Sequence, residues 1–414
     1  MQQQAMPSNT PDRLGTGPMP ILFTHFGDQW IRGSETLLLD LMAHLDPARF
    51  RPVVWCNGID MADACRAAGY QTHRTDFAYY FDAGSPRFSP GTYAALVREG
   101  TALARQHGIR ILHANSAVPA QWMLPVARTL RLPLLSHLHI DYLRRSRYAM
   151  LLHQADLIVG VSRQVLDDFL GDGVPDTRTR VIYNGIDFAR LDQRPGKDLR
   201  PLLGIPAGTT LIGAAGSLIR RKGHDVLIRA LGLLTGEQAL HLLIASDGPE
   251  REALQRLTAE LGLSGRVHFL GYHDDITDVY ESCDVMVLAS RADAFGLVLA
   301  EAGYSRRPVV ATRVGGIPEV VVDGETGLLV PPDDPQALAG ALQRLVDDKA
   351  LRERLGAAGR VRAQTRFSVQ RMAADFGDAY GRLAAQPRAA LGWGVVPARS
   401  LLYARLLAPR RRAG

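Results

Sequence analysis

Short apolar runs recur from residue 20 onward, and helical patterns separate them. In the first half they are Pro20-Ile-Leu-Phe-Thr-His25, Pro52-Val-Val-Trp-Cys56, Arg110-Ile-Leu-His113, Pro133-Leu-Leu-Ser-His-Leu138, Asp156-Leu-Ile-Val-Gly-Val161 and Arg180-Val-Ile-Tyr183. Runs of this length read as buried strands, and helices are predicted over 35–45 and 92–106. The pattern pauses between 188 and 208, where Arg, Asp, Pro and Gly dominate, and then restarts. The second series is Thr210-Leu-Ile-Gly-Ala214, Leu240-His-Leu-Leu-Ile-Ala245, Arg266-Val-His-Phe-Leu270, the run 284–289, Pro308-Val-Val-Ala311 and Thr326-Gly-Leu-Leu-Val330, with helices over 224–234, 250–261 and 335–345. Strand and helix alternating in this way imply a parallel sheet covered on both faces. The fold class is therefore α/β, with two doubly wound, Rossmann-like domains joined near residue 195. Ligands of such sheets sit outside the carboxyl ends of the strands, so two facing domains share one cleft.

At 414 residues the chain exceeds what one core usually supports. The expected division is a disordered start over 1–18, a first domain over 19–194, a second over 195–378 and a helical, basic tail over 379–414 packing back toward the first domain. Hydrophobic residues at 46% and charged residues at 22% are those of a soluble globular protein. Apolar runs stay short of the roughly 18 residues of a membrane span, and Met-Gln-Gln-Gln-Ala-Met-Pro-Ser-Asn-Thr is no signal peptide, so residence in the cytoplasm is expected. Cys56, Cys65 and Cys283 have no metal-ligand spacing and read as small buried hydrophobes. The net charge of +6 resides in six arginines from Arg388 to Arg412, interleaved with Leu401, Leu402, Tyr403, Leu406 and Leu407. That tail fits an interfacial segment on anionic lipid, or a helix packed with its basic face wet. No nucleic-acid partner is expected.

The chemistry concentrates after the run 284–290. Asp293 and Glu301 bracket Ala-Phe-Gly-Leu-Val-Leu-Ala, where Phe295-Gly296 makes a turn and Leu297 starts a helix reaching Tyr304. A helix start there offers free N–H groups and a positive dipole end, which suit phosphate. Eight residues in helical geometry span roughly 12 Å, so the two carboxylates cannot grip one atom. A nucleotide sugar matches: carboxylates accept from ribose and hexose hydroxyls while N–H groups and cations take the diphosphate. Equally, Asp293 could cap the helix and Glu301 face solvent. The turn Gly216-Ser-Leu-Ile-Arg-Arg-Lys222-Gly223, after a strand containing Gly213, places Arg221 and Lys222 ahead of another helix and adds a second phosphate-binding feature.

These pieces together resemble the retaining glycosyltransferases of family 4, which have the GT-B fold. The resemblance covers nearly the whole chain. It rests on Gly33-Ser34-Glu35, His139, Ser162, Asn184-Gly185-Ile186-Asp187, Arg221-Lys222-Gly223, Asp247-Gly-Pro-Glu-Arg251, Phe269-Leu-Gly271, Asp293 to Glu301, Gly315-Gly316-Ile317-Pro318-Glu319 and Thr326-Gly-Leu-Leu-Val330. It implies that Arg221 and Lys222 hold the donor diphosphate beside Gly216, and that Glu301 binds ribose. Asp293 stands where the family has a sugar-contacting Glu, and N–H groups around Phe295, Gly296, Leu297 and Val298 face phosphate or sugar. His139 falls near the transferred sugar and acceptor, with His137 competing for that role. Gly33, lacking a side chain, gives the ligand close backbone approach, Glu319 shapes the donor pocket, and Ser34, Ser162, Arg163 and Asn184 belong to the acceptor side of the cleft.

Two departures bear on specificity: Asp293 is one methylene shorter than the family's Glu, with Ala294 where Gly is common, and Ser217 stands where many members carry a further Arg. Arg220 or Arg221 could compensate for the latter. The implied reaction is hexose transfer from a nucleotide-diphosphate sugar to a glycan or lipid-linked acceptor, with retention, without metal and with no cofactor beyond the co-substrate. Arg144, Arg145 and Arg147 could meet an anionic acceptor, and Tyr79, Tyr80, Phe81 and Phe88 could stack on an acceptor sugar. Rival readings are a nucleotide-sugar epimerase on the same architecture and a non-catalytic nucleotide-sugar binding subunit.

Overall fold

A computed structural model describes residues 17–27, 31, 33–77, 89–193, 195–235, 240–273 and 275–386. Most of the expected disordered start, Tyr79 to Phe81, Phe88 and the basic tail from Arg388 lie outside the described residues. The first domain carries β1 (Met19–His25), β2 (Phe50–Cys56), β3 (Gln71–Arg74), β4 (Ile111–Asn115), β5 (Leu134–Leu138), β6 (Leu157–Gly160) and β7 (Thr179–Val181). All pair in parallel in the order β3-β2-β1-β4-β5-β6-β7. The second holds β8 (Thr210–Ala215), β9 (Leu240–Ala245), β10 (Val267–Gly271), β11 (Val285–Leu288), β12 (Val309–Thr312) and β13 (Gly327–Val330). Its order is β10-β9-β8-β11-β12-β13, again parallel. The winding direction therefore reverses between β1 and β4 and between β8 and β11, the places where such sheets open a crevice for ligand.

Both sheets are apolar on both faces. In the first domain Leu22, Val53 and Leu112 pack with Trp55 and Trp122, while Ile21, Phe23, Val54 and Ile111 pack on the opposite side with Leu38 and Leu41. Period-two alternation sends neighbouring side chains to different cores. The three cysteines are buried and unpaired, as expected.

Two elements depart from the pattern. The edge strand β3 has only Gln, Thr, His and Arg; β2 is its one strand partner, and His73 adds a 2.8 Å contact to His107. The helix Ala117–Leu130 contains Pro125 and is nearly all buried. Proline there removes the N–H that would reach Gln121 O, and the Tyr93 hydroxyl donates to that carbonyl at 2.7 Å instead.

The second domain also ends earlier than residue 378. Ile186 N donates to Phe367 O at 2.8 Å and Val369 N to Ile186 O at 3.0 Å, so the chain returns to the first domain beside the place where it left. The helix Val369–Ala384 then buries Met372, Phe376 and Tyr380 in the first domain's outer core, and Tyr380 Oη lies 2.7 Å from His113 Nδ1. The apolar spacing of this helix is plain in sequence, but nothing local says which core it faces.

Candidate active site

On the second domain, β8 leads through Gly216 to the single turn Arg220–Lys222 and then to the helix His224–Leu233. Gly223 joins turn to helix at φ +67°, and a Cβ there would collide with the Ala289 carbonyl oxygen, so only glycine lets the turn lie against the end of β11. Arg291 fastens the same junction: its guanidinium donates to both Asp225 oxygens at 2.9 and 2.8 Å, to Asp333 at 2.6 Å and to Arg220 O at 2.6 Å.

This clamp brings Lys222 Nζ within 2.6 Å of Asp293 Oδ2. The other oxygen, Oδ1, accepts from Phe295 N at 3.3 Å and Gly296 N at 3.1 Å. Burial pushes the Asp293 carboxyl upward, but the Lys222 ammonium and the loop N–H groups outweigh it and hold it below the ordinary value. Two N–H groups expected to face phosphate are thus used by Asp293. Leu297 and Val298 are the first residues of the helix Leu297–Tyr304, and no preceding turn supplies acceptors for their N–H groups. One turn on, Glu301 accepts from Tyr280 Oη at 2.7 Å, and its carboxyl is raised by burial. Arg221 departs from expectation: it is exposed, and its guanidinium turns to Ala292 O at 3.0 Å, away from the cleft lining.

The facing wall comes from the carboxyl edge of the first sheet and from the helix Gly33–His44. Gly33, Ser34, His139 and Asn184 line a cleft of about 420 Å³ together with Gly216, Ser217, Lys222, Tyr280, Asp293, Phe295 to Val298 and Glu301. His139 follows β5 and its Nε2 lies 2.9 Å from Asn115 Oδ1. Burial depresses its basicity to about 4, with His25 adding to the shift, so the ring is neutral near pH 7. His137 is buried in the core, its ring centroid 4.2 Å from that of His139, and does not line the cleft.

Three expected residues lie at the domain junction instead. Glu319, on the short helix Ile317–Val320, accepts from Arg163 N at 2.9 Å, Gln164 N at 3.3 Å and Tyr183 Oη at 3.1 Å. Its carboxylate therefore caps the helix Arg163–Gly171 across the domain boundary, where a negative charge favours a helix start. Ser162 is buried beside Gly316, and the Arg163 side chain reaches Asp167 and Asp176 on its own domain's surface. Arg147 is also spent internally, buried against Asp168 and Asp172, and Arg144 pairs with Asp172, which leaves only exposed Arg145 of the proposed acceptor-binding trio. Tyr280, Arg291 and the pair His25 and Asn115 were not singled out in the sequence; each acts through a partner 21 or more residues away. Among the described residues no group of three or more His, Cys, Asp or Glu side chains is placed to hold a metal ion, and no helix is long and apolar enough to cross a membrane.

The family description Glycosyl transferases group 1 matches residues 197–362, and Glycosyltransferase Family 4 matches residues 31–190. A D-inositol 3-phosphate glycosyltransferase from Corynebacterium urealyticum is 32% identical over 291 residues, covering 63% of this chain and 69% of that protein. The lipopolysaccharide core biosynthesis glycosyltransferase LpsE of Rhizobium meliloti is 33% identical over 222 residues, 54% of this chain and 57% of its own. Other curated relatives are matched over about half their length. In structure, Anabaena HepE in complex with UDP and glucose superposes with a TM-score of 0.74 at 24% identity, covering 88% of this chain and all of HepE. The chain belongs to the group 1, family 4 glycosyltransferases, and its fold is GT-B.

Proposed function

We propose that this chain moves a hexose from a nucleotide-diphosphate sugar to a glycan or lipid-linked acceptor in cell-envelope or polysaccharide synthesis, with retention and without a metal ion. The observation that carries the reading is the cleft at the two switch points, with a cation and a helix start at one place and a carboxylate one turn further along. Lys222 has three N–H donors. One can stay on Asp293 while the others take a leaving diphosphate, and the Leu297 and Val298 N–H groups can share its charge. Such fixed positive charge favours the state in which the glycosidic bond is breaking. Glu301 is placed to accept ribose hydroxyls. Asp293, engaged by Lys222 and two backbone donors, is poorly suited to attack the sugar, which supports front-face transfer over a covalent intermediate. HepE with bound UDP and glucose, and LpsE in lipopolysaccharide core synthesis, give donor and acceptor classes to try first.

A thermal-shift screen of GDP, UDP and ADP sugars tests the reading, because a ligand bound only by the native state raises Tm by mass action. The matching donor should raise Tm and then support transfer in the presence of EDTA, with the anomeric configuration of the product read by NMR. Donor turnover at full rate without acceptor would replace transfer by epimerisation. Attachment to the inner face of the cytoplasmic membrane is proposed for the basic tail. Cosedimentation with anionic vesicles should fall when residues after 388 are removed, and unchanged binding would end that part.

A further inference from the structure

Behind His139 runs a line of hydrogen bonds that the proposed transfer does not use. His139 Nε2 meets Asn115 Oδ1 at 2.9 Å, Asn115 Nδ2 meets His25 Nδ1 at 2.9 Å, and His25 Nε2 meets Glu35 Oε1 at 2.9 Å. Ser34 Oγ donates to the second oxygen of Glu35 at 3.0 Å. His25 and Asn115 are the last paired residues of β1 and β4, at the switch point itself, and His25, Asn115 and Glu35 are 2%, 1% and 5% exposed. Any side chain at Gly27 would strike both Glu35 Oε1 and His25 Nε2, so the backbone seals this end of the line.

The order of donors along the line is fixed from its buried end. An ionised carboxylate only accepts, so His25 must carry a proton on Nε2. With the Asn115 amide donating to His25 Nδ1, its carbonyl is left to accept from His139, whose proton must then lie on Nε2. Glu35 is suited to this: burial is the largest influence and works against its charge, but His25, its own backbone N–H and Ser34 together outweigh it and lower the carboxyl to about 2. At the other end His139 Nδ1 is buried and has no hydrogen-bond partner among the described residues.

We propose that Glu35, His25 and Asn115 are positioning residues that hold His139 as the neutral Nε2–H tautomer with its ring fixed against the cleft. The functional consequence rests on the transfer reading. Positive charge grows on the sugar as the bond to diphosphate breaks, and a cationic imidazole on the cleft wall would oppose it. With burial keeping the ring neutral and the line behind it fixing its tautomer, Lys222 is the cation that lines the cleft among the described residues, on the leaving-group side.

The tautomer is read directly by long-range proton–nitrogen NMR on histidine-labelled full-length protein without donor. Native His139 should show a protonated Nε2 and a bare Nδ1. Glu35→Gln touches neither His139 nor Asn115, yet its amide can donate as well as accept, which releases the order of the line. A mixed or Nδ1–H signal for His139 in that variant supports the proposal. Nδ1–H in the native protein, or a signal unmoved by Glu35→Gln in a folded sample, overturns it. Asn115→Asp gives a second readout: a carboxylate beside Nε2 favours the cationic ring, so kcat should drop about tenfold or more, the scale of one lost hydrogen bond, while nucleotide affinity stays within about twofold. An equal loss of both would also overturn it. If no nucleotide sugar binds the native protein, the transfer reading falls, and the NMR experiment still decides the line.

Discussion

Lys222 at 2.6 Å from Asp293 makes each residue the other's compensation. Lys222→Ala leaves a mostly buried carboxylate with two backbone donors and the long Ser290 Oγ contact at 3.4 Å, and a loss of about 1–3 kcal/mol in unfolding free energy is expected. The same change removes the cation assigned to the leaving group, and kcat should fall about 10²–10³-fold, the usual effect of deleting one transition-state donor. Denaturant melts and steady-state rates check the two parts separately. The buried ionisable groups also set an acid limit. Burial drives His113 and His139 down to about 3 and about 4, so the folded protein keeps them neutral while the unfolded chain takes up protons below about 6.5. Glu35, lowered to about 2, likewise binds its proton later in the folded state than in the unfolded one. In all three the unfolded chain binds more protons, so stability falls as pH drops. The histidine contribution declines from pH 6.5 toward 4 and that of Glu35 from pH 4.5 toward 2. Urea midpoints measured from pH 7.5 to 4 should decline steadily, and a flat profile would contradict the burial of these groups. Asp293, Glu301 and Lys222 were legible in sequence because each sits in a local pattern of strand, turn and helix. The line from Glu35 to His139 was not, since it depends on the register that sets His25 beside Asn115, 90 positions apart.

Short turns between strands and helices carry the second domain's half of the site, and several tolerate no side chain. Gly223→Ala would place a methyl on the Ala289 carbonyl in a left-handed backbone. A loss of more than about 3 kcal/mol is expected from the two effects together, seen as a lower Tm or failure to purify. Gly315 presents the same constraint against the Asp293 carbonyl, and through Gly316 N, 3.0 Å from Asp293 O, the Asp293 loop is tied to the helix bearing Glu319. That carboxylate grips the first turn of Arg163–Gly171, so the loop bearing Asp293 and the facing domain share one fastening. Glu319→Gln should weaken it by about 0.5–2 kcal/mol and change KM and kcat together, as alterations of closing elements do. A change confined to Tm would make Glu319 a stabilising cap only. Position alone could not reveal this, because a glutamate after Gly-Gly-Ile-Pro reads as the acid of its own helix start.

Most of the architecture follows from strand and helix alternation, whereas the polar strand β3 and the proline-bearing helix Ala117–Leu130 escaped that pattern for the reasons given above, and the short helices Ile59–Ala67, Arg163–Gly171 and Ile276–Ser282 were too brief to stand out. Besides the Glu319 fastening, the whole molecule differs from two beads on a string in the return of Val369–Ala384. Phe376→Ala should cost about 3–5 kcal/mol, and Tyr380→Phe, which forfeits the His113 bond, about 1 kcal/mol. Both losses should appear in calorimetry as unfolding of the first domain, although the residues lie at the far end of the chain.

That return has a consequence for how the protein is made. A chain that leaves one domain at Ile186 and re-enters it beside Phe367 cannot finish the domain it starts first. On a ribosome adding roughly 5–20 residues per second, the first sheet waits tens of seconds with an apolar face uncovered, while the later domain emerges as one uninterrupted stretch. Stalled nascent chains cut just before Val369 should therefore protect the second domain from protease and leave the first one open, so that the domain begun first is the last to close.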